Sequence, residues 1–196
     1  FAWVKPVRRV SATITPVVVS LRRLRETIRS LPQRPSFMAY LGGSMLYRDA
    51  LSGLYTFGGI YTAGVLGWSP VDIGVFGIIA AISGAIFAWV GGRMDRARGP
   101  KPVIVFCVVV LIATSLGVIS ITPTTVMLLP VAEGSALPDI AFYVMGAVVG
   151  AAGGALQASS RTMLVRLVDE DHVTEGFGLY ALVGKATAFL APILIG

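Results

Sequence analysis

The sequence predicts an all-α integral membrane protein with five transmembrane helices in view, and three observations predict it. Hydrophobic residues make up 55% of the chain and charged residues only 13%, whereas about 25% of an ordinary soluble domain is charged. Five apolar runs each reach the roughly 20 residues that a helix needs to cross a hydrocarbon core about 30 Å thick. The basic residues cluster in alternate connections between those runs.

Taken in order, the predicted spans cover about 37–66, 72–92, 102–122, 138–160 and 174–196. The connections carry turn chemistry: Gly67-Trp68-Ser69-Pro70, then Arg98-Gly99-Pro100, then the stretch from Pro123 to Pro138. Trp68 and Trp89 fall near span ends, the depth that amphipathic rings favour. Buried core helices show similar periodicity, but almost nothing polar is left to cover five of them, which excludes a soluble bundle. Residues 1–36 form a separate unit. Phe1-Ala2-Trp3-Val4 reads as the exit of an earlier hydrophobic segment, and a basic loop follows it. The chain lacks an initiator Met, shows no signal-peptide pattern and stops inside an apolar run at Gly196. It is expected to be a portion of a longer protein.

Charge sets the expected topology. Lys5, Arg8, Arg9, Arg22, Arg23, Arg25, Arg29 and Arg34 precede the first span, against Glu26 alone. Arg93, Arg96, Arg98 and Lys101 occupy the connection 93–101, and Arg161 and Arg166 close the fourth span. The connections 67–71 and 123–137 hold no Lys or Arg. Loops rich in Lys and Arg stay in the cytoplasm, so the N-terminal segment is expected there. Leu21, Leu24, Ile28 and Leu31 share one helical face and Arg22, Arg25 and Arg29 the other, a pattern suited to lying on an anionic leaflet. The net charge of +6 follows from this asymmetry, so no nucleic-acid partner is expected. Cys107 lies in an apolar run and reads as a small filler.

A charge at mid-bilayer costs about 2.5–3.5 kcal/mol on insertion scales, so those inside spans mark candidate sites. Arg48 and Asp49 lie within the first span and Lys185 at the centre of the last, while Gln157, with Arg161 one turn on, sits at the inner end of the fourth. Adjacent helical residues do not face each other, so Arg48 and Asp49 are expected to find partners on other helices or in a wet cavity. Arg48, Ser52, Tyr55 and Gly59 form a polar stripe that Tyr47 and Thr62 extend, and Lys185 aligns with Gly178, Ala181, Ala188 and Pro192. Two readings stay open: a charge pair that holds the bundle, or a role in substrate or ion handling. Gly146, Gly150 and Gly154, at four-residue spacing, suit close helix packing in lipid. The first span is long for one crossing, and Gly58-Gly59 is the expected break.

The connection Gly91-Gly92-Arg93-Met94-Asp95-Arg96-Ala97-Arg98-Gly99-Pro100-Lys101 resembles the cytoplasmic loop signature of the major facilitator superfamily. Gly91, Asp95, Arg96 and Lys101 match, and a further glycine stands one residue late, at Gly99. Such charges at helix ends can latch a neighbouring helix dipole. Three more stretches narrow the resemblance: Tyr47-Arg48-Asp49-Ala50 with Thr56-Phe57-Gly58-Gly59-Ile60-Tyr61, Gln157-Ala158-Ser159-Ser160-Arg161, and Gly176-Phe177-Gly178-Leu179-Tyr180 with Gly184-Lys185-Ala186-Thr187-Ala188-Phe189. Over 37–196 the chain is similar to the vacuolar amino-acid effluxer (autophagy-related) branch and its bacterial relatives. The resemblance implies the C-terminal half of a twelve-helix fold, with helices seven to eleven in view and a first half elsewhere in the same chain. It implies secondary transport of a small solute, an amino acid in the fungal members, from a bacterial inner membrane. A coupling proton and the lipid bilayer are the further expected partners.

Rival functions are weaker. A retinal photoreceptor would use Lys185 but wants a nearby counter-ion, and the intramembrane acid, Asp49, is four spans away. A membrane hydrolase needs a nucleophile beside a base, yet His172 sits in Asp169-Glu170-Asp171-His172 with no such partner. A non-transporting membrane sensor or scaffold on the same fold is the standing alternative. No metal cluster, phosphate-binding loop or cofactor fingerprint appears, so neither enzyme chemistry nor a cofactor is expected.

Overall fold

Proline opens each of the first four helices at N1 or N2, where its lost N–H has no intrahelical partner to forfeit. The computed structural model describes residues 25, 28, 29, 31–169, 172–186 and 193. After a 3₁₀ turn at Leu31–Gln33, helix α1 covers Pro35–Tyr61 and continues into a π-helical turn, Thr62–Leu66, that Gly67 ends at φ 70°. Helix α2, Pro70–Arg98, starts on a capping box in which Ser69 and Asp72 each accept the other's backbone N–H. Helix α3 covers Pro100–Ile119, a small hairpin pairs β1 (Thr125–Val126) with β2 (Leu129–Pro130), and helix α4 covers Leu137–Leu167. Helix α5 is Val173–Ala186. Among the described residues α2, α3 and α4 are long and apolar enough to cross a membrane. The protein is an all-α membrane protein.

Several expected boundaries are corrected. The connection 93–101 is helical except at Gly99, because α2 carries on to Arg98 and α3 begins at Pro100. Gly99 makes the turn alone, at φ 83° and ψ 162°, a backbone region essentially reserved for glycine. The fourth helix extends seven residues past 160, to Leu167. The third ends at Ile119, since Thr122 turns away to pair with Thr125. Gly58 and Gly59 do not break α1. They admit Phe76 and Ile73 of α2 instead, and the irregular turn comes three residues later, at Thr62. Of the basic N-terminal stretch, Arg25, Ile28 and Arg29 are helical and exposed. Leu21, Leu24 and the basic residues before them lie outside the described residues, as do Ala188 and Pro192.

Helix α4 is the hub. Val149, Ala152, Ala155 and Leu156 meet Val103, Cys107 and Leu111 of α3 and Leu51 of α1 in one buried cluster. On its other side, a side chain at Gly146 would strike the Phe76 ring, one at Gly150 the Ala80 carbonyl, and one at Gly154 the Gly84 carbonyl. Residue numbers rise together along this contact, so α2 and α4 run in the same direction. Their basic ends therefore coincide. Arg166 of α4 lies 3.4 Å from where a side chain on Gly99 would sit, and Arg34, before α1, pairs with Asp169 at 2.6 Å. The opposite end is closed by aromatic rings: Trp68 stacks on Tyr143 at 4.5 Å, packs edge-on to Phe142 and donates to Asp139 at 2.6 Å. Trp68 is thus half-buried among rings, whereas Trp89 is exposed with the Arg93 guanidinium 3.9 Å above it.

Candidate functional site

Three groups of polar residues stand out against the apolar bundle. The first is the Gly91 to Lys101 segment. Gly91 is buried, and a side chain there would meet Ala155 of α4 at 3.1 Å. One turn on, Asp95 is 2% exposed, and its Oδ1 accepts a 2.7 Å hydrogen bond from Ser159 Oγ of α4. Its Oδ2 is buried without a hydrogen-bond partner, an arrangement that costs stability and calls for a reason. Arg166 reaches across from α4 and donates to the Asp95 carbonyl at 3.5 Å, a cation at the C-terminal end of α2. Arg96 and Lys101 point out and are exposed.

The second group lies where α1 meets α5. The Arg48 guanidinium donates to the Tyr180 carbonyl at 2.8 Å and covers the Tyr180 ring, 4.3 Å from its centroid. Gly184 leaves room for it, since a side chain there would collide with the guanidinium. The neighbouring Asp49 has its Oδ1 buried without a hydrogen-bond partner. Lys185, next to Gly184, is exposed, as is Ser52. The expected polar stripe on α1 therefore divides. Arg48 goes to α5, while the Tyr55 hydroxyl lies over Gly153 of α4.

The third group lines a cleft of about 330 Å³. Its walls are small residues of α2 and α4, among them Ala80, Gly84, Gly150 and Gly154, and its polar groups are Tyr55, Gln157 and Arg161. A larger groove of about 500 Å³ between α1 and α3 is lined mainly by Leu, Ile, Val and Ala, which suits lipid or a helix more than a polar solute. So Tyr55 and Gln157 share a cleft, joined by Arg161, and the groups around Arg48 and Lys185 stand apart from it. Sequence reasoning did not reach Tyr40, used Arg166 only for topology, and met Ser159, Ser160 and Tyr180 only within the resemblance, with no place in a site. Two serines in succession inside an apolar helix were the available signal.

A sequence profile of the family described as vacuole effluxer Atg22 like matches residues 1–196. The chain belongs to that family. It is also similar to the uncharacterized MFS-type transporter YxiO of Bacillus subtilis (strain 168), 24% identical over 181 residues. That alignment covers 91% of this chain and 38% of the relative, so the chain spans well under half of the relative's length. No solved structure matches.

Proposed function

We propose that the chain is the C-terminal half of a twelve-helix secondary transporter that moves a small solute, an amino acid foremost, by alternating access. The cleft carries the reading: hydrogen-bonding and cationic groups, Tyr55, Gln157 and Arg161, face a space otherwise walled by glycine and alanine. Family membership and the MFS-type relative support it. On this reading all five helices cross the membrane, a bacterial inner membrane, with the basic end in the cytoplasm. Arg48, Asp49, Ser52 and Lys185 face the space between the two halves of the transporter, where solutes bind in this type of fold. Asp49 is the acidic group offered to an ammonium or a coupling proton. Asp95, held by Ser159 and capped by Arg166, acts with Gly91, Arg96 and Lys101 as a latch on the inward–outward equilibrium rather than as a solute ligand.

Flux of labelled amino acids in liposomes holding the full-length protein tests the function. Solute-dependent flux is expected. Solute binding without flux would favour the sensor reading. Asp95→Ala is expected to cut transport rate while leaving binding within a few fold. A loss of binding as large as the loss of rate would remove the latch.

A further inference from the structure

By their contacts the helices divide into two groups. Helices α2, α3 and α4 form a block, with the glycine face of α4 against α2 and the Val103–Cys107–Leu111 side of α3 against α4. Helices α1 and α5 form a pair, joined by Arg48 on Tyr180 and by Phe37 and Leu41 against Leu179 and Tyr180. Between pair and block the helices approach more sparsely, through Leu51 and Leu164 and, at the other end of α1, through Gly58, Gly59 and Tyr61 against Phe76, Ile73 and Phe142. At one end the seam is bridged by Tyr61 of α1, which donates to the Ile121 carbonyl at 2.7 Å and stacks on Phe142. At the other, beside the Arg34–Asp169 pair, two α1 tyrosines hold Ser160 of α4, whose neighbour Ser159 binds α2 within the block.

Each serine serves a different group. Ser159 Oγ donates to Asp95 of α2 at 2.7 Å. Ser160 lies about 100° further round the helix and is held by α1. Its Oγ donates to the Leu156 carbonyl at 2.6 Å, which uses its one hydrogen, so Tyr47 is the donor in the 2.6 Å contact with that oxygen. Tyr40 donates to the Ser160 carbonyl at 2.6 Å and stacks its ring on Tyr180, 6.1 Å between centroids. Both serines are fully buried, whereas Tyr40 and Tyr47 are half-buried and line the groove between α1 and α3. The glycine interface of the block cannot slip without driving backbone into backbone. The tyrosine clamp is made of single hydroxyl bonds, which can break and re-form.

We infer that Ser159 and Ser160 are positioning residues coupling Asp95 to the α1–α5 pair, with the Tyr40–Tyr47 clamp on Ser160 as the joint at which the pair moves against the block. The inference rests on the reading of the bundle as a transporter with Asp95 as its latch.

Spin labels on the full-length protein in nanodiscs, at exposed Ala97 of α2, Val165 of α4 and Leu182 of α5, would read the two groups by distance. Tyr47→Phe and Tyr40→Phe each remove one donor with little change of shape. Each is expected to shift the Ala97–Leu182 populations by roughly two- to tenfold, the span of one hydrogen bond, with Ala97–Val165 unmoved. Combined with Asp95→Asn, Tyr47→Phe is expected to act non-additively. Unchanged Ala97–Leu182 distances, additive effects, or a moving Ala97–Val165 distance would overturn the joint. If Asp95→Asn alone shifts populations, the joint fails and the latch stands. If the tyrosine variants shift them while even the unaltered protein gives no flux, the joint stands and the transporter reading falls.

Discussion

A guanidinium inside an apolar helix has to be satisfied somewhere, and among the described residues Arg48 meets a backbone carbonyl and an aromatic face rather than an acid. The cost of inserting a charge drew attention to Arg48, Asp49 and Lys185 in the sequence. Their partners stayed hidden, because a carbonyl is present at every residue and has no signature. Arg48→Lys keeps the charge but loses the flat contact with Tyr180. It is expected to destabilise the protein by about 1–2 kcal/mol, read as a lower Tm in detergent. Lys185, exposed on α5, is expected to behave differently. Lys185→Met should abolish transport while the protein still inserts and purifies folded, and normal transport by that variant would return Lys185 to an ordinary surface residue.

Helix starts were legible to within two residues, and the ends less so, because proline acts locally. Pro35, Pro70, Pro100 and Pro138 open helices, and Gly99 turns one into the next. The twin glycines at 58 and 59 misled for a physical reason: glycine marks a close approach as readily as a bend, and here the approach is by Phe76 and Ile73. Along α4 the four-residue glycine spacing coincides with the contact on α2. Gly150→Ala would push a methyl into the Ala80 carbonyl and is expected to cost about 1–3 kcal/mol. Gly77→Ala on α2, with open space around it, should be neutral or stabilise by up to about 1 kcal/mol. Thermal unfolding of the two variants side by side checks the contrast.

For the whole molecule, the same-direction packing of α2 and α4, with the Arg34–Asp169 pair, gathers the basic residues of three separate segments at one end. Single cysteines placed among residues 22–34 and 93–101 are therefore expected to react from the cytoplasmic side only. External labelling of either would overturn the topology. The division into a block and a pair belongs to this scale too, and on the proposed reading it gives Asp95 of α2 a route to α1 through Ser159-Ser160.

Composition and the placing of proline, glycine and charge determined by themselves that this is an all-α membrane protein, where its helices begin, and which connections are basic. These are local properties that a chain carries whatever it packs against. The tertiary structure decided which face of each helix turns inward, and with it the partners of Arg48 and Asp95, the Tyr55–Gln157–Arg161 cleft and the Ser159-Ser160 junction. The physical reason is the solvent. Lipid is as apolar as a protein core, so helices such as α2 and α3 are apolar all round and carry little amphipathic signal to separate the buried face from the exposed one.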